Sequence, residues 1–357
     1  MIPAPEIECS RAVRYRLPAE WKPHSATWLV WPQNVSDWPG KFSGIRQVYR
    51  EIISHLSESE KVRIVINPGG ARKRAEGFLR EGSTDLANVE FYECPTDRSW
   101  IRDSGPFFVR DDSGGLNVLD FGFSGWAKYP DWENDDLVPG FVAETLRLDL
   151  ETPAHLGKKI ILEGGSIDVN GEGSLITTKQ CLLSADKQAR NPSFEKNDYE
   201  AVFSEYFGAT NILWLNGGVE GDDTNGHVDN ICRFTDPRTV ALCIENNAED
   251  PNCHPLRENL EILQDLRLED GGKIDIVPLP MPSPLFFEGE RLPATYANFY
   301  VSNEKVLVPI YNDPKDREAL GILSELFPAR HVVGIDCVDL VWGFGAIHCM
   351  TKEEPLR

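Results

Sequence analysis

Gly343-Phe344-Gly345-Ala346-Ile347-His348-Cys349-Met350-Thr351, close to the end of a 357-residue chain, is the stretch on which the reading of the fold depends. A glycine-punctuated apolar run delivers a single cysteine. Cysteine is among the side chains most often buried, so a thiol closing a final strand is the plain interpretation. Free cysteine is also the side chain nearest to being a nucleophile at neutral pH. Which interpretation holds depends on what the rest of the chain can set around Cys349.

Three upstream segments carry charge beside strand-like or aromatic runs. Trp100-Ile101-Arg102-Asp103-Ser104-Gly105-Pro106 sets an Arg-Asp pair before a Gly-Pro turn, in isolation a common turn salt bridge. Ile160-Ile161-Leu162-Glu163-Gly164-Gly165 ends an apolar run on Glu163, in isolation an exposed strand-end carboxylate. Asp222-Asp223-Thr224-Asn225-Gly226-His227-Val228-Asp229-Asn230 holds a histidine and a carboxylate two residues apart. Extended-chain alternation puts His227 and Asp229 on one face and Val228 on the other. A metal-ligand pair and a solvated loop are the alternatives there, and no third histidine lies nearby to favour the metal.

Taken together these segments supply one thiol, one imidazole and three carboxylates. A thiolate with a histidine suits acyl transfer or attack on an amidine-like carbon. Buried carboxylates would oppose the negative charge that develops in acyl transfer. They would instead grip a guanidinium, whose N–H donors form a fixed fork matched to carboxylates. The set therefore reads as guanidine-modifying before it reads as proteolytic.

Composition narrows the partners. There are 57 acidic against 36 basic residues, a formal charge of -21, which repels nucleic-acid phosphates and anionic lipid and favours cationic small molecules or peptides. Eight cysteines are scattered without a CxxC pair, against both a structural zinc site and a disulfide scaffold. Met1–Glu8 has neither a basic region nor an apolar run of signal length, and no window reaches transmembrane length. A reduced, cytoplasmic location is expected. Without GxGxxG after the first strand or a Walker A sequence, nucleotide binding has little support.

Short strand patterns at Ala26–Trp31, Val62–Asn67, Val89–Tyr92, Asn117–Phe121, Ser174–Thr178, Thr210–Leu215, Thr239–Cys243 and Lys305–Ile310 alternate with helical ones. The helical patterns cover Ile45–Leu56, Tyr199–Phe207, Pro255–Leu266 and Asp316–Leu326. No linker divides them, so residues 1–357 read as one α/β domain of repeated units. The same spacing also describes a doubly wound sheet. Gly164-Gly165 and Gly217-Gly218 read as tight turns or close backbone approaches.

The motifs, in order, resemble the agmatine deiminase and bacterial-type (Porphyromonas-type) peptidylarginine deiminase family of the guanidino-modifying, or pentein, superfamily. The resemblance runs from Leu17-Pro18-Ala19-Glu20-Trp21-Lys22-Pro23-His24 through Trp28–Pro32, Asp37–Phe42, Trp100–Pro106 and Glu163-Gly164-Gly165 to Gly226-His227-x-Asp229 and Ile347-His348-Cys349-x-Thr351. It implies a five-bladed α/β propeller of ββαβ modules with the site in the central channel. By the same resemblance Cys349 is the nucleophile, His227 the general acid/base, and Asp103 and Asp229 the guanidinium grip, with Glu163 a further active-site carboxylate. No metal or organic cofactor is implied. The implied partner is a cationic guanidino small molecule or an arginyl peptide. Agmatine is the first substrate, peptidylarginine the second and free arginine the third, against a non-catalytic amine-binding protein. The oligomeric state is open, a homodimer included.

Two stretches depart from the family pattern. Members using agmatine carry Gly-Gly-Gly-Asn where this chain has Gly343-Phe344-Gly345-Ala346, and Phe-Asn-x-Trp-Gly where it has Phe123-Ser124-Gly125-Trp126-Ala127. Trp100, Trp126 and Phe344 are thus expected at the wall of the substrate pocket, with core packing the alternative for such large aromatics.

Overall fold

A computed structural model of the chain describes residues 14–82, 84–155 and 157–357. Cys9 and the Met1–Glu8 segment lie outside the described residues.

Five sheets share one plan. In each, a short strand pairs antiparallel with the next, and a helical crossover returns the chain to a third strand lying parallel to the second. Phe107–Asp111, Leu116–Leu119 and Leu150–Glu151 form one such unit, with Val138–Leu146 as its helix. Ile167–Val169, Ser174–Thr178 and Asn211–Leu215 follow, crossed by Lys196–Phe207. Cys232–Phe234, Thr239–Ile244 and Asp275–Pro280 use Cys253–Asp265. Tyr300–Val301, Lys305–Ile310 and His331–Asp336 use Asp316–Leu326.

The remaining unit joins the two ends of the described chain. His24–Val30 runs parallel to Lys61–Ile66 across the helix Phe42–Leu56, and its antiparallel partner is Lys352–Pro355, with Trp28 opposite Lys352. The last strand therefore completes the first sheet. Cys349, three residues ahead of that strand, is carried with it to the beginning of the chain.

Local sequence explains these elements. In Phe42–Leu56 the buried residues are Ile45, Tyr49, Ile52, Ile53 and Leu56, one face at helical spacing. In Lys61–Ile66 the apolar residues Val62, Ile64, Val65 and Ile66 are all buried, as a strand flanked by parallel neighbours and covered by a helix requires. The expected strands and helices are present with ends shifted by a few residues. The helices Ala71–Glu81 and Val138–Leu146 were not anticipated. Nor were the antiparallel entry strands, several only two to five residues long. Each unit pairs its own strands in mixed fashion, so a single doubly wound sheet is excluded. Among the described residues no helix is long and apolar enough to cross a membrane.

Candidate active site

The site residues come from the turns that lead into the entry strands. Asp103 lies in the helical turn Ile101–Ser104 before Phe107–Asp111, and Glu163 immediately precedes the 3₁₀ turn Gly164–Ser166 before Ile167–Val169. His227 leads into the 3₁₀ turn Val228–Asn230, which holds Asp229 and precedes Cys232–Phe234. Asn298 precedes Tyr300–Val301, and Cys349 lies in Ile347–Met350 before Lys352–Pro355. The repeated plan thus delivers one polar group or pair per unit to a common centre.

One local expectation is corrected. His227 and Asp229 are not alternate residues of an extended segment. Asp222 Oδ2 accepts from Gly226 N at 2.7 Å and His227 N at 3.1 Å, and Asn225 and Gly226 take positive φ of 65° and 102°. This side-chain-anchored turn overrides alternation. The two residues still converge. A Cβ built on Gly165 would stand 2.5 Å from His227 Nδ1 and 2.9 Å from both Asp103 Oδ1 and Asp229 Oδ2, so only glycine lets the three close around that backbone.

Asp103 is fixed from two sides. Trp126 Nε1 donates to its Oδ2 at 2.8 Å and Gly165 N to its Oδ1 at 2.9 Å. Trp126 makes that bond from a left-handed backbone at φ 58°, a conformation unfavourable for a bulky residue and a sign of positional constraint. Burial pushes the Asp103 carboxyl above its usual range, against the lowering effect of His227.

Asp229 is held by His348. His348 Nδ1 is 2.8 Å from Asp229 Oδ2, and His348 Nε2 is 2.8 Å from Glu20 Oε2. A ring between two carboxylates satisfies both only by donating from both nitrogens. Glu20 also faces Arg102 at 3.2 Å and Arg233 at 3.1 Å. Burial raises the Asp229 carboxyl, but the hydrogen bond and charge of His348 outweigh it and hold the group low. Its second oxygen, Oδ1, is buried with no hydrogen-bond partner among the described residues. That oxygen is available to a cationic N–H donor.

Glu163 is fully buried, not exposed at a strand end. Arg190 Nε lies 3.0 Å from Oε1, and this ion pair overcomes burial to hold the carboxyl at about 2. His227 stands between Asp103 and Glu163, with Nδ1–Oδ1 3.7 Å and Nε2–Oε2 3.8 Å. Burial disfavours its cation, but Asp103, the Cys181 sulfur and Glu163 together raise its pKa well above the ordinary value. Arg102 does not pair with Asp103; it reaches Glu353 at 2.7 Å and Glu20.

Cys349 Sγ is 3.7 Å from Asp229 Oδ2 and accepts from Asn298 Nδ2 at 3.2 Å. Burial, then the charges of Asp229 and Asp103, push the thiol well above its usual pKa. A cation introduced beside those carboxylates would reverse their effect. Asn298 was missed in the sequence, as was His348 beyond its place in the Ile-His-Cys motif. Asn298 Oδ1 also accepts from His348 N at 3.0 Å, fixing the turn that carries the thiol. Its only signal is its place just ahead of an entry strand.

Cys349 and Asp103 form part of the lining of a cavity of about 290 Å³, together with Trp100, Trp126, Phe344 and the outer residues Arg98, Tyr129 and Trp342. The three expected aromatics therefore line the cavity as well as pack, while His227, Glu163 and Asp229 lie fully buried outside its lining. Cβ atoms on Gly343 and Gly345 would meet Trp100 at 2.8 and 2.6 Å. Phe344, between them, has φ 64°, and Ala127 has φ 51°. Both departures from the family glycines thus keep a left-handed backbone that glycine adopts without strain.

A buried thiol and buried carboxylates thus lie together with a buried imidazole beside the cavity, a combination suited to chemistry on a cation. The chain belongs to the Porphyromonas-type peptidyl-arginine deiminase family, whose model matches residues 16–355. It is 33% identical over 368 residues to an agmatine deiminase of Pseudomonas aeruginosa, covering 97% of this chain and 96% of that one. The structure of an agmatine deiminase of Enterococcus faecalis superposes with a TM-score of 0.87 at 28% identity, covering 96% of each chain. An agmatine deiminase of C. jejuni with substrate bound gives 0.85 at 32% identity, covering 99% of this chain and 100% of that one. The architecture is accordingly the α/β pentein type.

Proposed function

We propose that the chain is a guanidino hydrolase acting on agmatine, giving N-carbamoylputrescine and ammonia. The observation that carries the reading is that Asp229 Oδ2 stands 3.7 Å from Cys349 Sγ and, with Asp103 Oδ1, beside Gly165, while Asp229 Oδ1 is buried with no hydrogen-bond partner among the described residues. Asp103 and Asp229 take the guanidinium N–H groups and hold its carbon against the sulfur. Burial and the two carboxylates keep Cys349 protonated; the cation offsets the carboxylates, so substrate binding itself promotes the thiolate, with the thiol proton released to solvent.

Cys349 Sγ then bonds to the guanidinium carbon. His227, as the imidazolium, gives a proton to the departing nitrogen, and the C–N bond breaks to release ammonia and leave a cationic amidino-thioether. Water loses a proton to His227 as its oxygen bonds to the same carbon. The C–S bond breaks, the new hydroxyl loses its proton to solvent, and the ureido product and thiolate separate. Glu163 and Arg190 position His227 throughout.

The small cavity, at the low end of ligand-pocket volumes, supports a small substrate over a peptide. Peptidylarginine is the second reading, favoured by the aromatic mouth, where the Phe287 and Trp342 ring centroids lie 3.9 Å apart. The test is competition among agmatine, arginine and a blocked arginyl peptide, compared by kcat/KM. Agmatine should win by a large factor; a win by the peptide removes the assignment.

We further propose that the five units close as a five-bladed propeller in one catalytic domain around this channel. The pairing of Lys352–Pro355 with His24–Val30 supports that closure. Seven described cysteines, all free, support a reduced cytoplasmic setting.

A further inference from the structure

Cys181 lies beside His227, on the side of Glu163. It comes from the turn Lys179–Leu182, is fully buried, and offers a sulfur that lies within 4.8 Å of both a His227 nitrogen and a Glu163 oxygen, themselves equally close. The backbone holds it there. Thr178 Oγ1 accepts from Cys181 N at 3.0 Å and donates to Gly226 O at 2.6 Å, while Asn225 Nδ2 donates to Gln180 O at 3.1 Å. Among the described residues both nitrogens of the buried His227 ring lack a hydrogen-bond partner, which is unusual for a buried imidazole. The hydrolytic scheme uses His227 and Glu163 but assigns nothing to Cys181.

We propose that Glu163, Cys181 and His227 form a three-donor site for a thiophilic divalent cation of the Zn²⁺ class, and that its occupation arrests the enzyme by withdrawing His227 from proton transfer. Carboxylate, thiolate and imidazole are zinc's three ligand types, and three protein donors leave a fourth position for water. On binding, the Cys181 thiol and the His227 imidazolium each give up a proton to solvent, and thiolate and carboxylate together offset the two metal charges. Arg190 Nε donates to Glu163 Oε1 at 3.0 Å and, more weakly, to Oε2 at 3.3 Å; Oε2, 3.8 Å from His227 Nε2, is the oxygen offered to the metal, which must displace that longer bond while Arg190 stays on Oε1. The uncompensated charge of Arg190 makes this a reversible inhibitory site, weaker than a structural zinc.

The test is a Co²⁺ titration of the Cys349→Ala protein, which removes the neighbouring cavity thiol. A thiolate-to-cobalt charge-transfer band saturating at one cation per chain is expected, and Cys181→Ser in the same background should abolish it. No band in the first protein, or a persistent band in the second, overturns the site. In protein that retains Cys349, Cys181→Ser should weaken Zn²⁺ inhibition by more than about tenfold, each protein referred to its own uninhibited rate. Unchanged inhibition overturns the proposed mode of arrest. The cobalt titration reads binding without turnover, so its outcome is separate from that of the agmatine assignment, on whose site the proposal rests.

Discussion

His348 Nδ1 lies 2.8 Å from Asp229 Oδ2, the same oxygen that stands 3.7 Å from Cys349 Sγ. One histidine, adjacent in sequence to the thiol, therefore sets the carboxylate that faces it. His348→Ala leaves Asp229 and Glu20 buried without their shared donor. Loss of one partner from such a pair costs about 3–5 kcal/mol, so urea denaturation should report a drop of that order. The rise in KM should exceed the fall in kcat, because the guanidinium grip is what loosens. A fall in kcat alone would contradict this role.

The protonated resting thiol has a kinetic signature. Iodoacetamide, being neutral, should alkylate Cys349 slowly at neutral pH and faster as pH rises past the ordinary thiol range, following the raised pKa. A haloacetamidine carries the amidinium that offsets Asp103 and Asp229, so it should react at neutral pH far faster than its intrinsic reactivity predicts. Parallel pH profiles for the two reagents would exclude activation by the cation.

Phe344 and Ala127 occupy left-handed backbone, at φ 64° and 51°. Ala127→Gly should stabilise the protein by about 0.5–1 kcal/mol, the relief of αL strain exceeding glycine's entropic cost. Phe344→Gly combines the same relief with loss of a cavity wall. It should shift the kcat/KM ratio towards the arginyl peptide, measured in the same competition. An unchanged ratio would remove Phe344 from specificity.

Glu163 titrates at about 2 in the fold, against an ordinary value of 4.5. A depressed carboxyl contributes stability above its unfolded pKa and loses it as pH falls towards the folded one. Between about pH 6 and pH 3 that loss is about 2 kcal/mol. Glu163→Gln should flatten the pH dependence of urea stability by this amount over that window. Identical slopes would mean that Arg190 does not depress Glu163.

The central strands were legible because runs such as Val62–Ile66 are apolar at all but one position, Arg63. Short entry strands such as Tyr300–Val301 were not, since two residues carry no periodicity. Cys349, His227, Asp103, Asp229 and Glu163 stood out as reactive or charged groups beside turns. The arrangement of His227 and Asp229 did not, because Asp222 bends that segment through hydrogen bonds from Gly226 and His227. Asn298, uncharged and in an ordinary loop, becomes visible only when the five units are aligned by their entry strands.

Covalent catalysis is most directly tested by ammonia release from agmatine with purified, folded Cys349→Ala protein. With the nucleophile removed, no release above the enzyme-free background is predicted, while circular dichroism stays unchanged. Release at a rate near that of the parent enzyme would contradict covalent catalysis by Cys349.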